Sequence, residues 1–86
     1  MIRVRFRNAN TAFSEHWIVQ DENNADATVL DRVMAPEETY PNPAGGQWLF
    51  ISSPNGTYGD VQYISDNQNV WSHKSLISDG DTVDLF

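Results

Sequence analysis

Two histidines, a short acidic run and a closely spaced pair of aspartates are the residues of this chain that could do chemistry. His16 and His73 would act as bases or metal ligands only if partners converged on them. Neither has a second ligand at helical i+4 or tight-turn spacing, so both are expected as surface or hydrogen-bonded histidines. Asp21, Glu22, Asn23, Asn24 and Asp26 have the composition of a calcium loop. An EF-hand needs Gly at the sixth place and a bidentate acid at the twelfth; Asp26 and Arg32 stand there instead. Asp79 and Asp81 could pair as general acid and base, but they flank Gly80 in Ser78-Asp79-Gly80-Asp81, where turn formation explains both. Ser, His and Asp are all present without a nucleophile-elbow sequence. No catalytic residue, cofactor or metal is expected, and the chain reads as non-enzymatic.

Binding chemistry is better represented. Arg3, Arg5 and Arg7 alternate with Ile2, Val4 and Phe6, which predicts a strand with one cationic face. If Leu49, Ile51, Val83 and Leu85 point into the core, strand alternation turns Trp48, Phe50 and Phe86 outward. Trp48, Phe50 and Phe86 with Arg3, Arg5 and Arg7, and with His16 and Ile18 beyond, are the predicted protein-binding surface, since Trp and Arg are enriched at interface hot spots. The competing arrangement folds the 54–75 segment over these rings. Such a face could also make a homodimer. Tyr40, Tyr58 and Trp71, in loops, could instead stack on sugars.

The chain is acidic, with a formal net charge of -7. That argues against phosphate-backbone binding. It leaves open an acidic inhibitor or nucleic-acid mimic that meets a basic protein, although a solvated surface is the simplest account. Eighty-six residues make one domain, 1–86, with a single thin core. There is no Cys, hence no disulfide framework. Met1 to Arg7 alternates charge where a signal peptide would be apolar, and no run reaches the ~18 apolar residues of a membrane span. The expectation is a cytoplasmic protein without membrane insertion.

The elements that must position these residues follow from the patterning. Ile2–Phe6 is a strand, and Phe13, Trp17 and Val19 lie on a second strand expected to pair with it as a hairpin. Val29, Leu30, Val33 and Met34 form a helical stripe, Thr28 with Asp31 resembles a capping box, and Pro36 stops the run. A short helix over 28–35 is therefore expected. Residues 36–46 form a loop, 47–53 a strand, 58–65 a strand, and 82–86 a closing strand laid between earlier ones and parallel to the first. The fold class is α+β, one helix on one face of a mixed sheet. The alternative, if 27–34 is extended, is an all-β, Ig-like sandwich, which would suit a small carbohydrate-binding module.

This layout resembles the β-grasp fold of ubiquitin-like proteins. The residues that carry the resemblance are Met1-Ile2-Arg3-Val4-Arg5 as opening strand, Thr28-Val29-Leu30-Asp31 as start of the central helix, and Trp48-Leu49-Phe50-Ile51. Leu76 with Asp79-Gly80-Asp81-Thr82-Val83-Asp84-Leu85 resembles the family's closing pattern. Among such proteins the chain is most similar in layout to the small ubiquitin-like accessory proteins of type VII secretion systems. The resemblance implies a β-grasp adaptor that binds another protein, with Phe50 and Phe86 in the position of the family's recognition patch. The chain departs from the pattern in a longer 51–76 segment and a shorter helix. It ends Asp84-Leu85-Phe86 rather than Gly-Gly, so conjugation through the C-terminus is not expected.

Overall fold

The computed structural model describes residues 1–86 and is a sandwich of two four-stranded sheets. In chain order the strands are β1 (Ile2–Asn8), β2 (Glu15–Asp21), β3 (Ala27–Met34), β4 (Thr39–Tyr40), β5 (Leu49–Ile51), β6 (Tyr58–Ser65), β7 (Ser72–Ser78) and β8 (Asp81–Leu85). The only helical segment is a 3₁₀ turn at Pro43–Gly45. One sheet is mixed, with β1 at its centre, β4 and β5 antiparallel along one side, and β8 parallel on the other. The second is antiparallel, in the order β3-β2-β6-β7. The core lies between the sheets. Ile2, Val4, Phe6, Ile51, Val83 and Leu85 from the first sheet meet Trp17, Val19, Leu30, Met34, Val61, Tyr63 and Ile77 from the second.

The expected α+β, β-grasp arrangement is therefore overturned: residues 27–34 are strand β3, paired with β2, and no helix covers either sheet. Two features made an extended segment look helical. A bulge on β3 opposite Val19 and Gln20 leaves Val29 unpaired, and Val29 packs on the core beside Leu30, giving adjacent apolar residues. The next position on Leu30's side is Arg32, not an apolar residue, and its guanidinium lies 4.0 Å over the Tyr40 ring. The buried pair Leu30 and Met34 thus stands at i, i+4. Val33, which completed the apparent helical stripe, is exposed.

Two pairing expectations are also corrected. β1 and β2 are not a hairpin: β2 sits in the opposite sheet between β3 and β6. The closing strand does run parallel to the first, Phe6 opposite Val83 and Asn8 opposite Leu85, but it is an edge strand with β1 as its sole neighbour. Ser72–Ser78, where no strand was expected, is strand β7.

Where the sheets converge at one end, Asn8 is buried and organises three strands. Its Oδ1 accepts from Trp17 Nε1 at 3.1 Å, and its Nδ2 donates to the carbonyls of Met34 and Ala35 at 3.1 Å each. Trp17 in turn meets Tyr63 edge to face, ring centroids 5.9 Å apart. Asp21 is the matching buried polar group toward the other end, accepting from the amides of Asn23 and Ser52 at 3.1 and 2.8 Å. It binds backbone rather than pointing outward as a calcium ligand would.

Candidate functional site

The outer face of the mixed sheet carries the predicted cationic row. Arg3 is opposite Phe50 across β1 and β5, so Phe50 projects outward, 53% exposed. The Arg5 guanidinium lies 3.5 Å over the Trp48 ring and the Arg3 guanidinium 5.3 Å from it. Arg3 also forms a bidentate pair with Asp79, through Nε at 3.1 Å and Nη2 at 2.9 Å, and its backbone amide donates to the same carboxylate at 2.7 Å. These bonds hold the Asp79 carboxyl down at about 2. Arg7 reaches Glu37 and Asp84 at 3.1 and 3.3 Å. Arg5 has no carboxylate partner; its Nε donates to the Gln47 carbonyl.

This face is not covered by residues 54–75, which form β6 and β7 in the other sheet. Nor is it the single patch expected. Phe86 follows β8 on the far side of β1, beyond the Asn8–Leu85 pair, whereas Phe50 stands beside Arg3 on the near side. Strand geometry separates them by roughly 20 Å. Ile18 and His16 are on β2, in the other sheet altogether. Ile18 lies opposite Asp31 and Ile64, on the sandwich's other outer face. His16 is held between carboxylates, Nε2 2.5 Å from Asp31 and Nδ1 3.5 Å from Asp66; the hydrogen bond to Asp31 raises its pKa. His73 pairs with Glu22. No group of three or more His, Cys or acidic side chains converges as metal ligands would.

The three aromatic residues of the sugar reading are dispersed. Tyr58 pairs with Ser78 at one end of the β6–β7 ladder, and Trp71 immediately precedes Ser72, which pairs with Tyr63 toward the other end. That is ~17 Å along the strands. Tyr40 is opposite Phe6 and packs on the core under Arg32.

A different cluster does converge. At the end of the sandwich above Asn8, a cleft of about 380 Å³ is lined by Asn10, Glu15, Asn67, Gln68, Ser65 and Phe86, with Trp17 at its floor. Turn chemistry puts these residues in place. Asn10 Oδ1 accepts from the amides of Ala12 and Phe13, both at 2.9 Å, an Asx turn that brings the chain into β2. Asn10 Nδ2 and Asn67 Nδ2 both donate to the Glu15 carboxylate at 3.2 Å. Gln68 Oε1 accepts from the Ser65 amide at 3.3 Å, which leaves its amide N–H groups free; Asn67 engages Glu15 through Nδ2, which leaves its Oδ1 free as an acceptor. The ring of Phe86, 73% exposed, forms one wall. Of these residues Phe86 was expected on the protein-binding surface, while for Asn10, Asn67 and Gln68 the only signal was the turn-forming composition of 8–11 and 66–69. Glu15 carried none.

No helix of the chain is long and apolar enough to cross a membrane. Comparison with protein-family models, with curated proteins and with solved structures finds no match to this chain.

Proposed function

We propose that this chain is a non-catalytic β-sandwich binding module that takes a carbohydrate in the end cleft. The observation that carries this reading is the lining: a free amide donor on Gln68, a free amide acceptor on Asn67 and the Glu15 carboxylate, in one cleft with the exposed ring of Phe86. A sugar needs that combination. Its hydroxyls donate and accept at once, and its C–H face packs on an aromatic ring. The cleft volume falls in the range of small-ligand sites. Glu15 is pre-oriented by Asn10 and Asn67, so little side-chain entropy is lost on binding. The test is a glycan array followed by titration of the best hit. Phe86→Ala and Gln68→Ala should each weaken binding by about tenfold while leaving the melting curve intact. No retained glycan, or hits indifferent to both changes, would sink the reading.

A second reading rests on the other sheet face. Arg5 without an ion pair, stacked on Trp48 beside the outward Phe50, is a rigid cation–aromatic pair of the kind that anchors protein interfaces. Retention of a partner protein that Phe50→Asp abolishes in a folded variant would favour docking on this face over sugar binding.

A further inference from the structure

We infer that the free edge of β8 accepts an extended segment of another protein as an added strand, one that carries an acidic side chain among apolar ones. The parity of the backbone sets up the edge. Ala9 N–H donates to the Leu85 carbonyl at 2.9 Å, so the peptide groups of Leu85, Val83 and Asp81 face β1. Those of Thr82 and Asp84 face the opposite way, where β8 has no neighbour. Two residues with unpaired N–H and C=O groups on one side are what a pairing strand requires, and unprotected edges of this type recruit other chains.

The surroundings select the occupant. The edge opens onto a groove of about 470 Å³ between β8 and β7, lined by Tyr63, His73, Lys74, Thr82, Val83 and Asp84 among others. Alternate side chains of an added strand would enter this groove, where the exposed ring of Phe86 offers apolar contact above the buried Tyr63 and Val83. Lys74 is the unsatisfied charge there. Of the five cations, Arg3, Arg7 and Arg32 have carboxylate partners and Arg5 is stacked on Trp48, while Lys74 has no ion pair. Asp84, on the same groove, is already met by Arg7, and His73 by Glu22. A carboxylate on the incoming strand complements Lys74. A second copy of this chain fits poorly, because pairing β8 with itself would bring Asp81 and Asp84 toward their counterparts on a chain of net charge -7.

The test uses the whole chain and two acetylated, amidated peptides, Thr-Val-Thr-Glu-Thr-Val-Thr and its variant with Lys in place of Glu. With the first, amide exchange at Thr82 and Asp84 should slow while that at Val83, already bonded to β1, stays as it was. The Lys peptide should bind about tenfold more weakly, and Lys74→Ser should remove the difference between the two. Thr82→Pro deletes a donor that the fold does not use and should abolish binding. Should that variant fail to fold, the alternating exchange pattern in the unaltered protein decides. Protection at all three positions, no protection, or equal binding of the two peptides overturns the proposal. Phe86 borders both this groove and the end cleft, so Lys74, which lines only the groove, and Gln68, which lines only the cleft, are the residues whose variants tell the two proposals apart.

Discussion

Asn8 accepts the indole N–H of Trp17 at 3.1 Å, and both side chains are almost wholly buried. The same amide donates to the carbonyls of Met34, Ala35 and Phe13, so one side chain on the mixed sheet ties down β2, the end of β3 and the chain between the sheets. A buried network of this kind is stable only while every member is satisfied, and no buried side-chain polar atom is left without a partner.

Asn8→Ala should therefore cost about 3 kcal/mol or more, because the indole N–H and two strand-end carbonyls lose their partner away from water. Urea unfolding monitored by tryptophan fluorescence measures this. A loss below ~1 kcal/mol would mean that the end of the sandwich is wetter than its burial indicates.

Gly59 is required for space rather than for backbone freedom. A Cβ there would stand 2.6 Å from Ile51 Cδ1 and 2.7 Å from the Ser52 carbonyl oxygen. The isoleucine tip can turn aside, but the carbonyl belongs to the backbone after β5. Gly59→Ala should destabilise by about 1–3 kcal/mol, as overpacking does. A thermal melt indistinguishable from that of the parent protein would contradict this.

Two exposed ion pairs give stability a pH dependence with opposite signs. The Asp79 carboxyl titrates at about 2, below its ordinary 3.8, so its contribution is present above 3.8 and lost as pH falls toward 2. The His16 pKa is raised above its ordinary 6.5, chiefly by the hydrogen bond to Asp31. Its contribution is present below 6.5 and lost as pH rises through the raised value. Stability should pass through a maximum between pH ~4 and ~6.5. In melts across pH, Asp79→Asn should flatten the acid limb and His16→Gln the neutral limb; unchanged limbs would show the pairs to be inert.

Phe50→Asp should leave a cooperative melt within about 0.5–1 kcal/mol of the parent, because the ring is half exposed and the new carboxylate stands opposite Arg3. Loss of cooperativity would place Phe50 in the core and remove the outer face as a docking surface.

Trp48→Ala should cost about 0.5–1 kcal/mol through the lost stacking on Arg5, a loss that added salt barely alters. Denaturation at low and high ionic strength measures it. Full erasure by salt would indicate that the two side chains do not stack.

How much of this architecture the sequence carried depends on the range of the interactions involved. Strand alternation is local, so Ile2, Val4 and Phe6 against Arg3, Arg5 and Arg7, and Val83 and Leu85 against the outward residues, were legible from residue types alone. Turn chemistry is local too: Asp79 and Asp81, expected as turn residues, bind the amides of Arg3 and Ser78 around Gly80. The parallel pairing of first and last strands was also correctly expected.

What failed was whatever a partner outside the segment itself decides. Residues 27–34 could show a helical stripe because a one-residue bulge at Val29 and an inward Arg32 disguise a strand. Only pairing with β2, the preceding strand, and the Tyr40 ring beyond the end of β3 make those features favourable. The end cleft is the same case, since Asn10 and Asn67 are ordinary loop residues and Glu15 an ordinary strand-end residue until folding brings the β1–β2 and β6–β7 connections together beside Phe86. Side-chain period is written residue by residue, whereas the choice of which strand neighbours which is settled by the burial of one common core. That choice belongs to the tertiary structure alone.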